Sequence, residues 1–391
     1  MKFAHLSDCH IGGWREDTLR GINLKSFEKA IDICVDEHVG FVIIAGDLFD
    51  TALPSIDILK QTAKILSRLK EYDIPVYVIP GSHDFSASGK TMLDVLENAG
   101  LTINVMRFEN GKLQFTVDKT GIKLTGIYGK KGGLESYDYE KLEKEHLEKE
   151  EGFKIFLFHT LLEELKPQGF EMIEGVSLSY LPKNFNYYAG GHPHFVYSNN
   201  HYNYGTISYP GPIYPNNFQE LEKLKHGGFY IIEIKDNNIK SRYIPLKIID
   251  VASYYINAEN KTPRELENEI LNIITDYRNK IVTLRVEGCL KEGKISDINF
   301  RNTLENFKEA HYILKNTSKL TVKGFEEHNI STHNIEDIEA SILKEHIKQS
   351  FLSENKIDEI VKALDREKLE GEKNTDFENR IIQEVAKIID L

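Results

Sequence analysis

Apolar and polar positions in the first part of the chain follow an alternating order of strands and helices. Residues 2–8 alternate toward an aspartate, and residues 40–47 form a continuous apolar run that ends in Gly-Asp. Between them, "LKSFEKAIDICV" has helical spacing; residues 55–72 predict a second helix and residues 74–81 a third strand. This order predicts an α/β fold, in which a largely buried sheet is flanked by helices.

A second series of strands follows in the same region. Apolar runs at 154–160, 186–194 and 226–234 predict strands, and the first two end in histidines. Residues 140–152 are dense in charge and predict a helix with a solvated face. We therefore expect the main domain to continue to about residue 248.

The pattern changes near residue 250. Residues 249–326 read as helix, strand, helix and strand, which predicts a small α+β domain. Residues 331–391 are helical in pattern and acidic, with two apolar faces separated by a polar linker. Such helices are typical of an element that docks on a partner; the alternative is that they pack back on their own chain.

Composition narrows the class of protein. The 391 residues are enough for two or three domains, and no apolar run is long enough to cross a bilayer. Three widely separated cysteines and the lack of an evident signal peptide favour a reducing, cytoplasmic setting without membrane association. The net charge of −12 argues against a generic nucleic-acid binder but leaves room for a local basic groove.

Ionisable residues stand directly after the predicted strands, where the carboxyl ends of a sheet meet in one crevice. Within this set, a cluster of two aspartates and four or more histidines supplies oxygen and nitrogen donors together, a mixture that suits manganese, iron or zinc rather than calcium or a thiolate zinc site. The set is large enough for two ions about 3.5–4 Å apart, with Asp47 as the candidate bridge. These residues are Asp8, His10, Asp47, His83, Asp84, His159, His192 and His194.

Each of these motifs alone has a simpler explanation. A lone strand histidine is more often a hydrogen-bonded core residue, and "GDLFD" could be a turn with a helix-capping aspartate. A glycine-flanked His-x-His such as "GHPH" seldom has a structural purpose. Because the motifs occur in order at successive strand ends, we interpret them as one binuclear metal site.

The motifs "DCH", "GDLFD", "GSHD", "FHT" and "GHPH" resemble the five signatures of the calcineurin-like metallophosphoesterases, over about residues 1–235. The resemblance implies a two-sheet sandwich with a dimetal site at one edge. It implies that one ion is held by Asp8, His10, Asp47 and His194. It implies that the other is held by Asp47, the residue at position 82, His159 and His192.

The third motif differs from the family pattern at one position. Ser82 stands where the family has a metal-binding asparagine, and its oxygen is one bond closer to the backbone. We expect the second ion to be held more weakly for this reason. The resemblance also implies that His83 lies beside the scissile phosphate, without binding a metal, and that Asp84 orients it. The implied reaction is hydrolysis of a phosphoester.

Longer stretches point to one branch of that family. "MKFAHLSDCHIGG", "FVIIAGDLFD", "ISYPGP" and "GGFYIIEI" are similar to the DNA double-strand-break repair nucleases known as Mre-eleven (Mre11) or SbcD. This resemblance implies manganese-dependent exonuclease and endonuclease activity on DNA ends and hairpins. It also implies that residues 249–326 cap the DNA, and that residues 55–72 and 91–100 form a homodimer. The C-terminal helices would dock a coiled-coil ATPase of the Rad-fifty/SbcC type, in a nucleoid-associated complex.

Two alternatives stay open at this point. A nucleotide or small-molecule phosphodiesterase would use the same metal site, but it would need neither a capping domain nor docking helices. A weakly active or non-catalytic DNA-binding scaffold of the same complex is suggested by Ser82.

Overall fold

The computed structural model describes residues 1–85, 91–130, 135–170, 173–236 and 238–323, with positions 380, 382 and 383. The chain divides into two units, residues 1–323 and residues 324–391. The predicted helices at 331–391 therefore lie outside the described residues, apart from those three positions. Within the described residues, no helix is long and apolar enough to cross a membrane.

Short strands and a few longer helices make up the first unit. The strands are β1 (Lys2–Leu6), β2 (Val42–Ala45), β3 (Val76–Ile79), β4 (Ile103–Asn104), β5 (Phe108–Glu109), β6 (Lys112–Leu113), β7 (Thr116–Val117), β8 (Lys123–Ile127), β9 (Lys154–His159), β10 (Tyr187–Gly191), β11 (Tyr197–His201), β12 (Gly205–Tyr209), β13 (Gly227–Lys235), β14 (Asn238–Leu246), β15 (Val251–Asn257), β16 (Ile281–Leu290), β17 (Tyr312–Asn316) and β18 (Leu320–Val322). The helices are α1 (Asp17–Asp36), α2 (Ile56–Glu71), α3 (Met92–Asn98), α4 (Ser136–Glu140), α5 (Glu145–Lys149), α6 (Phe218–Leu224), α7 (Pro263–Ile273) and α8 (Phe300–Leu304).

Two six-stranded sheets form the main body. The first has the order β14-β13-β1-β2-β3-β4, and the second has the order β11-β12-β10-β9-β8-β7. The central strands of each sheet run parallel, while β13 joins β1 antiparallel and β11 joins β12 antiparallel. Long parallel connections are made through helices, as the alternating sequence pattern predicts.

The two sheets pack face to face, because alternate residues of each strand point to opposite faces. On β2, Ile43 belongs to the cluster shared with Leu157 and Tyr187 of the second sheet, whereas Ile44 faces the other way. That other face packs against α1 and α2 through residues such as Phe27 and Leu66. The fold is therefore an α/β sandwich of two sheets flanked by helices, which confirms the predicted fold class.

A separate four-stranded sheet follows, hereafter the small sheet (β15–β18). Here β15, β17 and β18 all pair parallel with β16, and α7 and α8 cover the sheet with their own apolar core. Residues 249–323 therefore contain both strands and helices, including β15, a strand that the sequence pattern does not indicate. The domain bounds of 249 and 326 stay a prediction. The predicted helix at 140–152 is wrong in length, since helical turns cover only 136–140 and 145–149, and the backbone at Glu150 is extended.

The carboxyl ends of the central strands of both sheets meet at one edge. Loops after β1, β2 and β3 leave the first sheet there, and loops after β9 and β10 leave the second. Neighbouring parallel strands end at the same side of a sheet, so the residues after them converge.

Candidate metal centre

Glycines let the two sheets approach each other closely at the shared edge. Gly46 follows β2 with a φ of +86°, and a Cβ at this position would collide with the His159 ring. A Cβ at Gly81 would likewise collide with the Asp47 carboxylate. Only glycine fits these two positions, so the "GD" and "GSHD" motifs owe their glycines to the packing of the site.

The backbone is unusual at several of the predicted ligands. Asp8, His10, Asp47 and His192 all have positive φ angles, of 51°, 42°, 52° and 92°. Such a conformation is disfavoured for residues other than glycine, and it persists only where surrounding structure enforces it. Four of the seven predicted ligands have this conformation, which is typical of the backbone strain found at functional sites.

The first half of the centre consists of Asp8, His10 and His194, whose ligand atoms lie within 4.8 Å of one another. His10 Nδ1 lies 3.2 Å from Asp50 Oδ1, and His194 Nδ1 lies 2.9 Å from Glu220 Oε1. Carboxylates only accept hydrogen bonds, so each Nδ1 has a proton to donate. The two Nε2 atoms then face each other at 3.1 Å.

The second half of the centre consists of Asp47, Ser82, His159 and His192. His159 Nδ1 donates to the carbonyl oxygen of Ala45 at 2.8 Å, and its Nε2 lies 3.1 Å from Asp47 Oδ2. The His192 ring contacts the His159 ring with centroids 5.3 Å apart.

Two carboxylates lie between the halves. Asp47 Oδ2 is 3.6 Å from His10 Nε2 as well as 3.1 Å from His159 Nε2. Asp8 groups with His10 and His194, and also with Asp47 and His159. Asp8 Oδ1 accepts from the His192 backbone N–H at 2.9 Å. Both aspartates therefore have the position that a bridging ligand requires, where the sequence had indicated Asp47 alone.

Ser82 belongs to the second half. Its side chain is buried, and its hydroxyl is 3.4 Å from Asp47 Oδ2, to which it donates. The His83 backbone N–H donates to the other Asp47 oxygen at 2.7 Å. The third motif thus holds the Asp47 carboxylate in place through one hydroxyl and one amide.

His83 is far more accessible than the neighbouring His10, with 38% of its side chain exposed against 2%. Its Nδ1 donates to the carbonyl oxygen of Asp50 at 2.7 Å, which leaves Nε2 free to exchange a proton. We expected Asp84 to orient this ring, and that expectation needs correction. Asp84 accepts instead from the backbone N–H groups of Leu48, Phe49 and Gly81 at 3.0–3.1 Å, so it joins the two loops.

The charges of the cluster are strongly coupled. Burial lowers the pKa of His10 and of His159, but neighbouring carboxylates outweigh it and raise the two values to about 9 and about 10. Burial raises the pKa of Asp47, but the nearby histidines, His159 foremost, hold it far below its ordinary value. Burial and the Asp47 charge raise the pKa of Asp84 to about 6. The buried carboxylates therefore favour cations, and His10 and His159 carry protons at neutral pH when no ion is bound.

The donor set fits divalent metal ions. Two neutral imidazoles facing each other through Nε2 at 3.1 Å need a shared cation, either a proton or a metal. The three rings anchored through Nδ1 to a carboxylate or a backbone carbonyl have the outer partner that metal-bound histidines require. Mixed oxygen and nitrogen donors suit manganese, iron or zinc.

A cavity of about 440 Å³ opens beside His192 and His194. Phe170 and Phe195 form part of its apolar wall, and Lys223 adds a positive charge. Its volume lies in the range of small-ligand sites. The cavity therefore borders two of the predicted metal ligands.

Two residues of the centre were missed at the sequence level. Asp50 is the last residue of "GDLFD", which the pattern indicated as part of a turn or cap, yet it faces both His10 and His83. Glu220 lies on α6 and bonds to His194, with no motif around it to mark it. The positions that the motifs did mark all meet in this centre.

Comparison with known proteins agrees with this geometry. Residues 1–195 match the family model described as calcineurin-like phosphoesterase. The DNA double-strand break repair protein Mre11 of Methanococcus maripaludis is 30% identical over 287 residues, which cover 68% of this chain and 74% of that protein. The Mre11 protein of Sulfolobus acidocaldarius is 27% identical over 371 residues, which cover 88% of this chain and 90% of that protein.

The extent of the match differs between relatives. The Mre11 protein of Archaeoglobus fulgidus is 24% identical over 306 residues, or 70% of this chain. The matched part spans 65% of the length of that relative.

Proposed function

Because the chain belongs to the Mre11 family of calcineurin-like phosphoesterases, we propose that it is a metal-dependent nuclease that cuts phosphodiester bonds in DNA. One observation supports this most strongly: the Nε2 atoms of His10 and His194 face each other at 3.1 Å beside two buried carboxylates. That arrangement supports a metal site, and a metal site at this edge supports phosphoester hydrolysis.

Two divalent ions are the proposed cofactors, with manganese favoured by the mixed donor set. Asp8, His10, Asp47 and His194 would hold one ion; Asp47, Ser82, His159 and His192 would hold the other. When bound, such ions activate a water molecule and neutralise charge on the phosphate. The first half should hold its ion more tightly, since carboxylates anchor both of its histidines and a short serine serves the second half.

His83 is the proposed general acid. The Asp50 carbonyl fixes its Nδ1–H, so a second proton at Nε2 can pass to the departing oxygen of the scissile bond. Its partial exposure leaves it open to substrate, unlike the buried ligands. Asp84 would support this role indirectly, because it holds the loop of His83 against the loop of Asp47.

DNA ends and hairpins are the proposed substrates, within a nucleoid-associated repair complex. The cavity beside His192 has room for a nucleotide, and Lys223 lies in its lining. The name printed for the relatives, a DNA double-strand break repair protein, supports DNA as substrate. The small sheet adjoins the main body and is the proposed capping domain.

A homodimer is proposed through residues 55–72 and 91–100. Helix α2 buries Ile65, Leu66 and Leu69 against its sheet, while Ile56 at its start is 84% exposed. Val95 on α3 is also exposed. Apolar side chains left on the surface of both helices support a contact with a second copy. Docking of a Rad-fifty/SbcC-type ATPase on residues 331–391 stays a prediction from the sequence.

A cleavage assay tests the proposal. Purified protein with Mn²⁺ should cut a fluorescent DNA hairpin, and a chelator should stop it. Hydrolysis of bis-p-nitrophenyl phosphate without DNA cleavage would favour a small-molecule phosphodiesterase. No hydrolysis of either substrate, in protein that binds Mn²⁺ and DNA, would favour a scaffold.

A further inference from the structure

We infer that helix α6 couples the small sheet to the metal centre, with Glu220 and Arg285 as positioning residues for the metal ligand His194. This inference depends on the metal centre that the proposed function describes, and it does not depend on DNA being the substrate. It concerns how firmly the first half of the centre is held.

On the side of the metal centre, α6 holds His194 and the loop before the helix. Glu220 accepts from His194 Nδ1 at 2.9 Å, from the Asn216 backbone N–H at 2.8 Å and from Asn217 Nδ2 at 2.5 Å. Asn216 Nδ2 in turn donates to Asp50 Oδ1 at 3.1 Å, and Asp50 faces His10. The start of α6 therefore fixes both anchoring carboxylates of the first half.

On the side of the small sheet, Glu222 bonds to Arg285 of β16. Arg285 Nε lies 2.9 and 3.1 Å from the two carboxylate oxygens, and Nη2 lies 2.7 Å from Oε2. The guanidinium lies 5.1 Å from the Phe218 ring centroid, and Nη1 lies 3.2 Å from Glu287 Oε1. A planar, bidentate, partly buried pair of this kind fixes orientation as well as distance.

The two contacts lie on opposite faces of the same short helix. Successive residues of an α-helix are rotated by about 100°, so Glu220 and Glu222 point about 200° apart. Leu221 between them is fully buried in a cluster with Trp14, Tyr214 and Ile281, the last of which begins β16. A helix of seven residues held on three sides has no hinge of its own, so a shift of β16 shifts Glu220.

Coupling of this kind is reciprocal by thermodynamic linkage. If the position of the small sheet changes the affinity of the first half for metal, then metal binding changes how firmly the small sheet is held. Any molecule that displaces the small sheet would then alter the metal centre through α6.

Mn²⁺ binding to the full chain tests the inference. Two classes of Mn²⁺ sites are expected, a tighter class in the first half of the centre and a weaker class in the second half. Arg285→Met should lower the Mn²⁺ affinity of the tighter class by about 2- to 30-fold and leave that of the weaker class unchanged. Arg285→Lys should recover part of the loss, because one ammonium replaces the charge but not the bidentate geometry. Mn²⁺ should slow the hydrogen exchange of the backbone amides of residues 281–290 in the native protein but not in Arg285→Met.

Arg278→Met is the matched control, since Arg278 pairs with Glu309 in the same part of the chain and away from α6. It should bind Mn²⁺ as the native protein does. If circular dichroism shows that Arg285→Met does not fold, Glu222→Gln takes its place with the same expectation. A folded variant with native affinity in the tighter class overturns the inference. DNA cleavage by the native protein is measured separately. If Arg285→Met weakens Mn²⁺ binding but the native protein does not cut DNA, the result contradicts the nuclease proposal and not this inference.

Discussion

The two halves of the metal centre differ in what holds their histidines. In the first half, a carboxylate anchors the Nδ1 atom of both His10 and His194. In the second half, a backbone carbonyl anchors His159, and Ser82 donates its hydroxyl to Asp47. A charged outer partner makes a histidine a more basic and better oriented ligand. We therefore expect the two ion sites of this centre to differ in strength, through the outer partners of their histidines and through the short side chain at position 82.

Asp47→Asn should have the largest effect, because Asp47 contacts both halves. We expect both classes of Mn²⁺ sites to be lost. The rate of DNA cleavage should fall further than it does on loss of a general acid, which contributes about 10²–10⁴-fold. Isothermal titration and a hairpin assay measure this. Asp118→Asn is the control, a buried carboxylate that bonds to Tyr77 instead. Retention of either class at native affinity in Asp47→Asn contradicts the shared role.

His83→Gln should leave Mn²⁺ binding in both halves unchanged and slow the cleavage of DNA. Loss of the general acid should lower kcat by about 10²–10⁴-fold while both Mn²⁺ affinities stay native. His38→Gln is a close control, because the exposed His38 also has its Nδ1 2.7 Å from a backbone carbonyl. Weaker Mn²⁺ binding in His83→Gln would show that His83 is a ligand instead.

Asp50→Asn should weaken the first half selectively. It replaces the carboxylate that anchors His10 with an amide, which we expect to lower the affinity of the tighter class by about 10–100-fold. The weaker class, centred on His159, should not change. Asp17→Asn, at an exposed ion pair with Arg20, controls for the loss of a charge. Equal weakening of both classes would remove the distinction between the halves.

Acidity should weaken both halves. The pKa values of His10 and His159 are raised to about 9 and about 10 without metal, so Mn²⁺ must displace protons at neutral pH. Affinity should therefore rise with pH toward about 9, by up to about tenfold per unit for each proton displaced. Titrations in buffers of different ionisation enthalpy count the protons released. Affinity that stays constant between pH 6 and 9 contradicts this.

The metal-free protein should show the opposite dependence on pH. A histidine whose pKa is raised in the folded state contributes stability that is fully present below about pH 6.5. That contribution is lost as the pH rises through the folded values of about 9 and about 10. The melting temperature measured with a chelator should therefore fall as the pH rises through this window. The rise in melting temperature on adding Mn²⁺ should become larger over the same window.

Ser82→Asn should have the smallest effect, and on the second half only. An amide oxygen reaches further than the Ser82 hydroxyl, so the weaker class should tighten by up to about tenfold, the equivalent of one hydrogen bond. Ser177→Asn, which changes a serine that caps a 3-10 turn, should leave both classes unchanged. If the weaker class is unaffected in Ser82→Asn, the short side chain does not limit that site.

Much of the centre could be predicted because its ligands follow strands directly. Residues after parallel strands must converge, so "DCH", "GSHD" and "GHPH" were sufficient to mark the edge where they meet. The outer partners could not be found in this way. Glu220 reaches His194 only because the burial of Leu221 sets the position of α6, which is a tertiary effect. The positive φ of Asp8 likewise has no mark in the sequence.

Cleavage of a DNA hairpin measured against the number of Mn²⁺ ions bound per chain tests the central claim most directly. Binding and cleavage are followed on the same sample as Mn²⁺ is added. The account predicts that a first ion binds without cleavage and that cleavage appears as a second, weaker site fills. Cleavage that is complete at one bound ion per chain, or absent at two, would contradict it.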